Sequence, residues 1–473
     1  MSSKWVFKFK KDENGRIVRF KARLVAQGYS QVYGLDYLDT FAPVAKLASL
    51  RIILAIAAAE DLELHQMDVV AAFLAGELEV EIYMEQPEGF KQGEDLVCQL
   101  RKGLYGLKQA ARIWNRKLRR FLLNHGYKQT HSDHCVYIRP QTKVIVAIWV
   151  DDLIIAGKNV EDIKELKREL NKEFEMKDMG ELKYFLGIQV LRNRKHRQIH
   201  ISQSGYINSI LERFSLLECN PVSTPIAAGT KLQKAKPDDI MDDPKEYQSI
   251  VGSQMYAMLC TRPDLAYAIS QISQFNNLPN KTHHAVAKRV LRYLKGTLHV
   301  GITFSGSLGL ELKLYCDADW ADGEDRKSIS AYIAILAGGA VSWRAKKQAT
   351  VATSSTEAEY MALLEATKES IWIQRLLSEL GQKAAIKNTN VIFEDNQGAI
   401  ALAHNPAHHA RTKHIDIQYH FVRDCVENGK VKLEYCPTAE MVADALTKPL
   451  SKDRHQGMME KMGLEEVAAL TGE

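Results

Sequence analysis

One stretch constrains this chain more than any other: Val144-Ile145-Val146-Ala147-Ile148-Trp149-Val150-Asp151-Asp152-Leu153-Ile154-Ile155-Ala156-Gly157. Two apolar, largely β-branched runs flank a pair of adjacent aspartates. The runs are too short for stable helices and too apolar for loops. They predict the two strands of a hairpin with Asp151 and Asp152 at its tip. Asp-Asp is ordinary turn chemistry when it is solvated. Here both arms read as buried, so the turn is held rigidly, and adjacent like charges repel unless a cation lies between them. A hard dication with oxygen ligands, magnesium above all, answers that repulsion. On this stretch alone both readings stay open.

At 473 residues the chain has material for two to four domains with packed cores. A hydrophobic content of 46% is that of a soluble globular protein. Lys+Arg of 63 against Asp+Glu of 58 leaves a formal charge of +5, which by itself identifies no partner. Its distribution says more. Lys4, Lys8, Lys10, Lys11, Arg16, Arg19, Lys21 and Arg23 crowd the N-terminal segment, against only Asp12 and Glu13. The 7 cysteines are scattered, odd in number and without a C-x-x-C pair, which suits a reducing compartment and argues against zinc. No apolar signal core follows Met1, and no run of about 18 apolar residues occurs. The expectation is a chain that is neither secreted nor membrane-spanning.

In chain order, Trp5 to Lys10 and Ile17 to Val25 alternate on either side of Asn14-Gly15, the strongest short-range hairpin signal available. Lys21 and Arg23 share one face of that hairpin. Such a face is ordinarily a solvated one, and it also suits a phosphate clamp. Leu47 to Leu64 has helical spacing and reads as a buried helix. It leads to Asp68, at the end of a short strand, where an acid among apolar residues needs a metal, a partner or a capping role. Gly103-Leu104-Tyr105-Gly106-Leu107-Lys108-Gln109 forms a glycine-punctuated loop before the basic helix Ala111 to Leu123. A charged helix spans Val160 to Phe174. Residues 220–245, with Pro221, Pro225, Gly229, Pro237 and Pro244 among charges, read as a linker, and residues 246–300 as helical.

A new pattern starts near Leu310. Strands are predicted for Leu312 to Asp319, Ile329 to Leu336 and Ala340 to Arg344, then a helix from Thr356 to Leu380 closed by Gly381. Val391 to Asp395 gives a fourth strand, Gly398 to His404 a helix, Val431 to Tyr435 a fifth strand and Met441 to Thr447 a last helical turn. This order describes an α+β domain. Asp317, Asp395 and Asp444 lie at element ends that can converge, and Glu359 sits in the first turn of the long helix. Both Thr356-x-x-Glu359 and Ser354-x-x-Glu357 are capping boxes, so one glutamate is expected to cap and the other to bind metal. His404, His408, His409, His414 and His420 lack a partner pair at zinc spacing, which favours a structural or nucleic-acid-facing role.

These residues resemble the reverse transcriptase–RNase H part of a copia-type LTR retrotransposon Pol polyprotein. The resemblance runs nearly the whole length, through Lys21-Ala22-Arg23-Leu24-Val25-Ala26-Gln27-Gly28, Gln66-Met67-Asp68-Val69, Leu104-Tyr105-Gly106-Leu107-Lys108-Gln109 and Val150-Asp151-Asp152. It continues in Thr261-Arg262-Pro263-Asp264, Asp317-Ala318-Asp319-Trp320, Ser354-Ser355-Thr356-Glu357-Ala358-Glu359-Tyr360, Arg411-Thr412-Lys413-His414-Ile415-Asp416 and Leu446-Thr447-Lys448-Pro449-Leu450. A lone Val-Asp-Asp is a weak signal, whereas this many ordered blocks are specific.

The resemblance implies a right-hand polymerase of fingers, palm and thumb-like parts, followed by an RNase H-like mixed five-stranded sheet with helices. It makes Asp68, Asp151 and Asp152 the palm carboxylates of two-metal phosphoryl transfer. Lys21 and Arg23 match the finger residues that grip the triphosphate, Gln109 the loop residue beside sugar and base, and Phe73 the bulky side chain that excludes a ribose 2′-hydroxyl. Asp317, Glu359, Asp395 and Asp444 match the four RNase H acids, with Tyr360-Met361-Ala362 favouring Glu359 over Glu357 as the metal ligand. Two magnesium ions per site are implied, with manganese able to substitute. The implied partners are an RNA template, a DNA primer, an RNA–DNA hybrid and deoxynucleoside triphosphates, with no membrane. The implied setting is a cytoplasmic virus-like particle with access to a nuclear stage.

The implied domains are 1–215, fingers and palm; 216–308, linker and helical connection; 309–450, RNase H-like; and 451–473, a C-terminal tail. Departures from the family pattern are Trp149 where tyrosine is usual, Val70 for lysine, Ala71 for threonine and Ala111 for proline. The resemblance is taken up at Lys4-Trp5-Val6-Phe7-Lys8, and no Asp-Ser/Thr-Gly or integrase zinc pattern occurs. A late fragment of a polyprotein, or a degraded genomic copy, is therefore expected. The alternative to an enzyme is a non-catalytic remnant that binds nucleic acid through its basic fingers and connection helix.

Overall fold

The structure is a computed structural model that describes all residues except 12–15, 237, 240–242, 322, 324, 383–388, 405–415 and 467–473. The Asn14-Gly15 turn, His408, His409, His414 and the segment Arg411 to Ile415 therefore lie outside the described residues. The chain divides into two compact units. One holds Met1–Lys46 and Glu63–Glu181, the other Leu47–Leu62 and Leu182–Glu473.

The first unit opens with β1 (Ser3–Lys11) and β2 (Ile17–Ala26), paired antiparallel so that Lys8 faces Lys21 and Phe9 faces Phe20. After Lys46 the chain gives α1 (Leu47–Glu60) to the second unit and returns in β3 (Glu63–Val69). The single helix expected over Leu47 to Leu64 is thus two elements. Asp61 adopts φ +53, and the Leu62 N–H donates to Ala57 O at 3.0 Å, a helix-ending left-handed cap that throws Leu64 into the strand.

A hairpin follows, β4 (Glu77–Glu85) with β5 (Val97–Lys102), and then α2 (Ala110–Asn124). The remaining elements are β6 (Lys128–Gln129), β7 (Val136–Ile138), β8 (Ile145–Trp149), β9 (Asp152–Gly157), α3 (Val160–Glu173) and β10 (Met176–Glu181). They build one antiparallel sheet in the order β10-β3-β9-β8-β7-β6. Trp114, Leu118 and Leu122 of α2 and Ile163, Leu166 and Leu170 of α3 join Met67, Val146, Ile148, Leu153 and Ile155 of the sheet in one buried core. Helical spacing on one side and strand alternation on the other meet there. Asn159 caps α3 by accepting from the Glu161 N–H at 3.0 Å.

The second unit begins with β11 (Tyr184–Phe185), β12 (Ile188–Asn193), β13 (Gln198–Ser202) and α4 (Ser204–Arg213). Next come α5 (Pro244–Cys260), α6 (Ala266–Ile272), α7 (Lys281–Gly296) and β14 (Val300–Ser305). Between α5 and α6 lies a fully buried ion pair. Arg262 Nη2 contacts Asp264 Oδ2 at 2.7 Å, and the Tyr293 hydroxyl donates to the same oxygen at 2.7 Å. Two residues of the Thr261-Arg262-Pro263-Asp264 block thus lock the helical region internally.

Then follow β15 (Lys313–Asp319), β16 (Ile329–Leu336), β17 (Gly339–Lys347), α8 (Ser355–Glu379), β18 (Asn390–Glu394), α9 (Gln397–His404), α10 (Asp416–Glu427), β19 (Val431–Tyr435) and α11 (Asp444–Thr447). The five strands order as β17-β16-β15-β18-β19, the first three antiparallel and the last three parallel. This is the mixed five-stranded α+β sheet expected from the sequence.

Within the expected C-terminal tail, 451–473, α12 (Lys452–Lys461) and β20 (Leu464–Glu466) are folded, and β20 closes the sheet β11-β12-β13-β14-β20. Helix α1 is buried in this unit through Arg51. Its guanidinium donates to Val341 O, Leu259 O and Cys260 O and stands 3.9 Å over the Trp343 ring.

Candidate active sites

In the second unit the parallel pairing of β15 with β18 sets the site. Tyr315 is in register with Phe393, so two residues further along Asp317 and Asp395 emerge side by side. Ser354 caps α8 by accepting from the Glu357 N–H at 3.2 Å, and the Glu357 carboxylate reaches back to the Thr353 N–H at 2.6 Å. Capping thus falls to Glu357, which leaves Glu359 facing the sheet, where its Oε2 accepts from the Ala318 N–H at 2.7 Å. Among the described residues, one group of three acids brings a ligand atom of each within 4.8 Å of the others: Asp317, Glu359 and Asp395.

This packing has an electrostatic consequence. Asp317 is 1% exposed, and burial, opposed by Lys448, raises its carboxyl to about 7. Burial, followed by the charges of Asp317, Glu394 and Asp395, pushes Glu359 well above the carboxylate range. Buried acids crowded this closely favour either protons or a dication. The donor set, hard oxygens at short mutual distance, fits magnesium or manganese.

Asp444 begins α11 and is fully buried, but it stands outside the three-acid group. Its Oδ1 lies 2.8 Å from Lys448 Nζ, and Arg454 Nη2 donates to its Oδ2. The Thr447 hydroxyl donates to Asp317 Oδ2, and Thr438 donates to Asp395 Oδ2 at 2.8 Å. One acid escaped the sequence reading. Glu394 is fully buried, receives Cys316 Sγ–H at 3.1 Å and the Asn396 N–H at 3.1 Å, and is raised to about 8, chiefly by burial. The alternation of Asn390, Ile392 and Glu394 on the buried face of β18 was the available signal.

In the first unit, β3 pairs with β9 so that Asp68 lies directly opposite Asp152, and the Val69 N–H donates to Asp151 O at 2.9 Å. The expected hairpin tip is corrected by one residue. Asp152 is the first residue of β9, paired with Trp149, and the turn proper is Val150-Asp151. The cause is pairing from both sides, since β3 and β8 each extend their ladder to Asp152. Val150 takes φ +57 to make so tight a reversal, and its carbonyl accepts from Trp114 Nε1 at 2.7 Å. Gln66 Nε2 donates to Asp152 Oδ1 at 3.2 Å, while burial, then Asp151 and Asp68, raise that carboxyl. Asp68, Asp151 and Asp152 share one end of the sheet without closing into a group as tight as the first.

Elsewhere in the first unit, the Arg23 guanidinium lies 5.3 Å from the Tyr105 ring centroid, with Lys21 two residues away on the same strand face. Phe73 meets the same Tyr105 edge-on at 5.2 Å. Gln109 is turned inward, accepting from Gln31 at 3.1 Å and donating to Asp36 O at 2.8 Å, so its amide is committed to the loop. Gly106, at φ +92, lets that loop lie against β2, because a Cβ there would stand 2.0 Å from Ala26 O.

Residues 1–228 match the family described as reverse transcriptase (RNA-dependent DNA polymerase). A Ty5-1 transposon protein of Saccharomyces cerevisiae is 33% identical over 64% of this chain and 100% of its own length. The chain belongs to the copia-type retrotransposon Pol family.

The retrovirus-related Pol polyprotein from transposon TNT 1-94 of Nicotiana tabacum is 44% identical over 98% of this chain, which spans 36% of that longer protein. Among solved structures, a foamy viral protease-reverse transcriptase in complex with dsDNA overlays on 91% of this chain and 77% of its own, with a TM-score of 0.44 and 11% identity. That overlap is too loose to add to the strand order already described. No helix among the described residues is long and apolar enough to cross a membrane.

Proposed function

We propose that this copia-type Pol chain copies RNA into DNA at Asp68, Asp151 and Asp152 and cleaves RNA in RNA–DNA hybrids at Asp317, Glu359, Asp395 and Asp444. The observation that carries the reading is the convergence of Asp317, Glu359 and Asp395 within 4.8 Å beside the central strand of the mixed sheet. Asp317, Glu359 and Asp395 would hold magnesium or manganese, and Asp68, Asp151 and Asp152 would hold it in the palm. When bound, such an ion supplies Lewis-acid neutralisation of a phosphate undergoing in-line displacement.

The chain's own groups prepare for that charge. Ala318 fixes the Glu359 carboxylate, Thr447 fixes Asp317 and Thr438 fixes Asp395. In the first unit Lys21 and Arg23 offer a triphosphate two cations on one strand face. Phe73, wedged on Tyr105, offers a wall against a ribose 2′-hydroxyl. The inward-turned Gln109 supports the loop beneath sugar and base rather than reaching for them. A second reading, a chain that binds nucleic acid without polymerising, is favoured for the first unit by the looser palm acids together with Trp149 and Val70.

The test is cleavage of an RNA-labelled RNA–DNA hybrid by the purified chain in magnesium, beside Asp317→Asn. Loss of cleavage in the variant supports the assignment. Equal cleavage by both proteins, or none by either, removes it.

A further inference from the structure

The four acids of the second unit are not equivalent, and the difference lies in which cations face them. Asp317, Glu359 and Asp395 form the tight group. Asp444 lies outside it, with its Oδ1 2.8 Å from the Lys448 ammonium and its Oδ2 accepting from Arg454. The Lys448 ammonium also reaches Asp317, 3.5 Å from its Oδ2. One positive charge therefore bridges two carboxylates that are 0% and 1% exposed. Asp444 and Lys448 are four residues apart at the end of a helical turn, the spacing that sets two side chains on one face. The lysine side chain is 32% exposed, so its flexible stem has a way out to solvent.

We infer that Lys448 is the resident cation of the Asp317–Asp444 side. The free protein then takes one divalent ion at Asp317, Glu359 and Asp395, and a second only when the lysine swings away. This rests on the ribonuclease reading above and deepens it. Lys448 is a positioning residue that sets how many ions the centre holds before a substrate arrives. A hybrid phosphate supplies the alternative partner an ammonium needs on leaving two carboxylates.

The test counts ions without nucleic acid. The full chain carrying Asp151→Asn and Asp152→Asn, which remove the palm ligands, is titrated with Mn2+ and bound metal is read by electron paramagnetic resonance. One ion per chain is expected, and again one with Lys448→Arg added. With Lys448→Met a second ion should tighten by about tenfold or more, as expected when a positive charge about 4 Å from a dication is removed. Two ions of similar affinity before the lysine is changed, or a single ion in Lys448→Met, overturn the inference. No bound ion in any variant sinks the ribonuclease reading beneath it instead.

A second measurement covers the case in which Lys448→Met fails to fold. In the full chain with isotope-labelled lysines, the Lys448 ammonium resonance, assigned by its loss in Lys448→Arg, is followed during Mg2+ titration. It should hold still through the first equivalent and move with the second. Movement with the first overturns the inference.

Discussion

The backbone N–H of Ala318 donates to Glu359 Oε2 at 2.7 Å, joining a β-strand to the helix that crosses it. This bond fixes one acid of the candidate metal site next to another, Asp317, which is adjacent in sequence to the donor. The carboxylate is therefore oriented before any ion arrives, and ordering it on binding costs little. The cost is instead electrostatic, and it is measurable.

Without a metal ion, the Asp317 carboxyl titrates in the folded state at about 7, against about 4 in an unfolded chain. The folded state then holds the extra proton, so this group's contribution to stability is complete below about pH 4 and is lost as pH rises to about 7. Glu394, raised to about 8, carries the loss slightly higher. Magnesium held at Asp317 would replace the proton there. The melting-temperature gain from Mg2+ over chelator should accordingly grow between about pH 5 and about pH 8. Asp317→Asn should flatten that growth. A gain independent of pH would contradict the crowding of these acids.

Arg262 and Asp264 form a fully buried pair completed by Tyr293 and by Thr297, whose hydroxyl accepts from Arg262 at 2.8 Å. Asp264→Asn leaves a buried guanidinium without its counter-charge and should destabilise the second unit by about 3–5 kcal/mol. Urea unfolding followed by circular dichroism measures this. A loss below about 1 kcal/mol would mean that the pair is solvated.

Val150 is a β-branched residue at φ +57, a conformation that costs valine more than asparagine. Val150→Asn should raise the stability of the first unit by about 0.5–1 kcal/mol without altering the pairing of Trp149 with Asp152. Thermal melts compare the two proteins. A lowered melting temperature would show that the valine side chain contributes more by packing than its backbone loses.

Much of the architecture could be read from local pattern. The alternation around Asp317, the long helix closed by Gly381 and the strand Val431 to Tyr435 each carry their signal within a few residues, and the strands of the second unit fall close to where alternation set them. What escaped depends on distant partners. Nothing in Leu47 to Glu60 tells that this helix serves the second unit. Nor does it tell that the partners of Arg51 are the carbonyls of Val341, Leu259 and Cys260. Asp444 could be assigned to a carboxylate set by resemblance, but not to an ion pair with Lys448, because the geometry of the helical turn decides which neighbour wins. Residues 452–466 read as a tail because a three-residue strand has no periodicity until β14 pairs with it.

If acids far apart in the chain act as two metal-dependent centres, each activity depends on its own acids. The decisive measurement is deoxynucleotide incorporation on a primed RNA template in Mg2+ by the purified chain, beside Asp151→Asn and Asp317→Asn. Incorporation that is lost in Asp151→Asn and kept in Asp317→Asn is the predicted result. Equal incorporation by the parent and Asp151→Asn, or none by the parent, would contradict it.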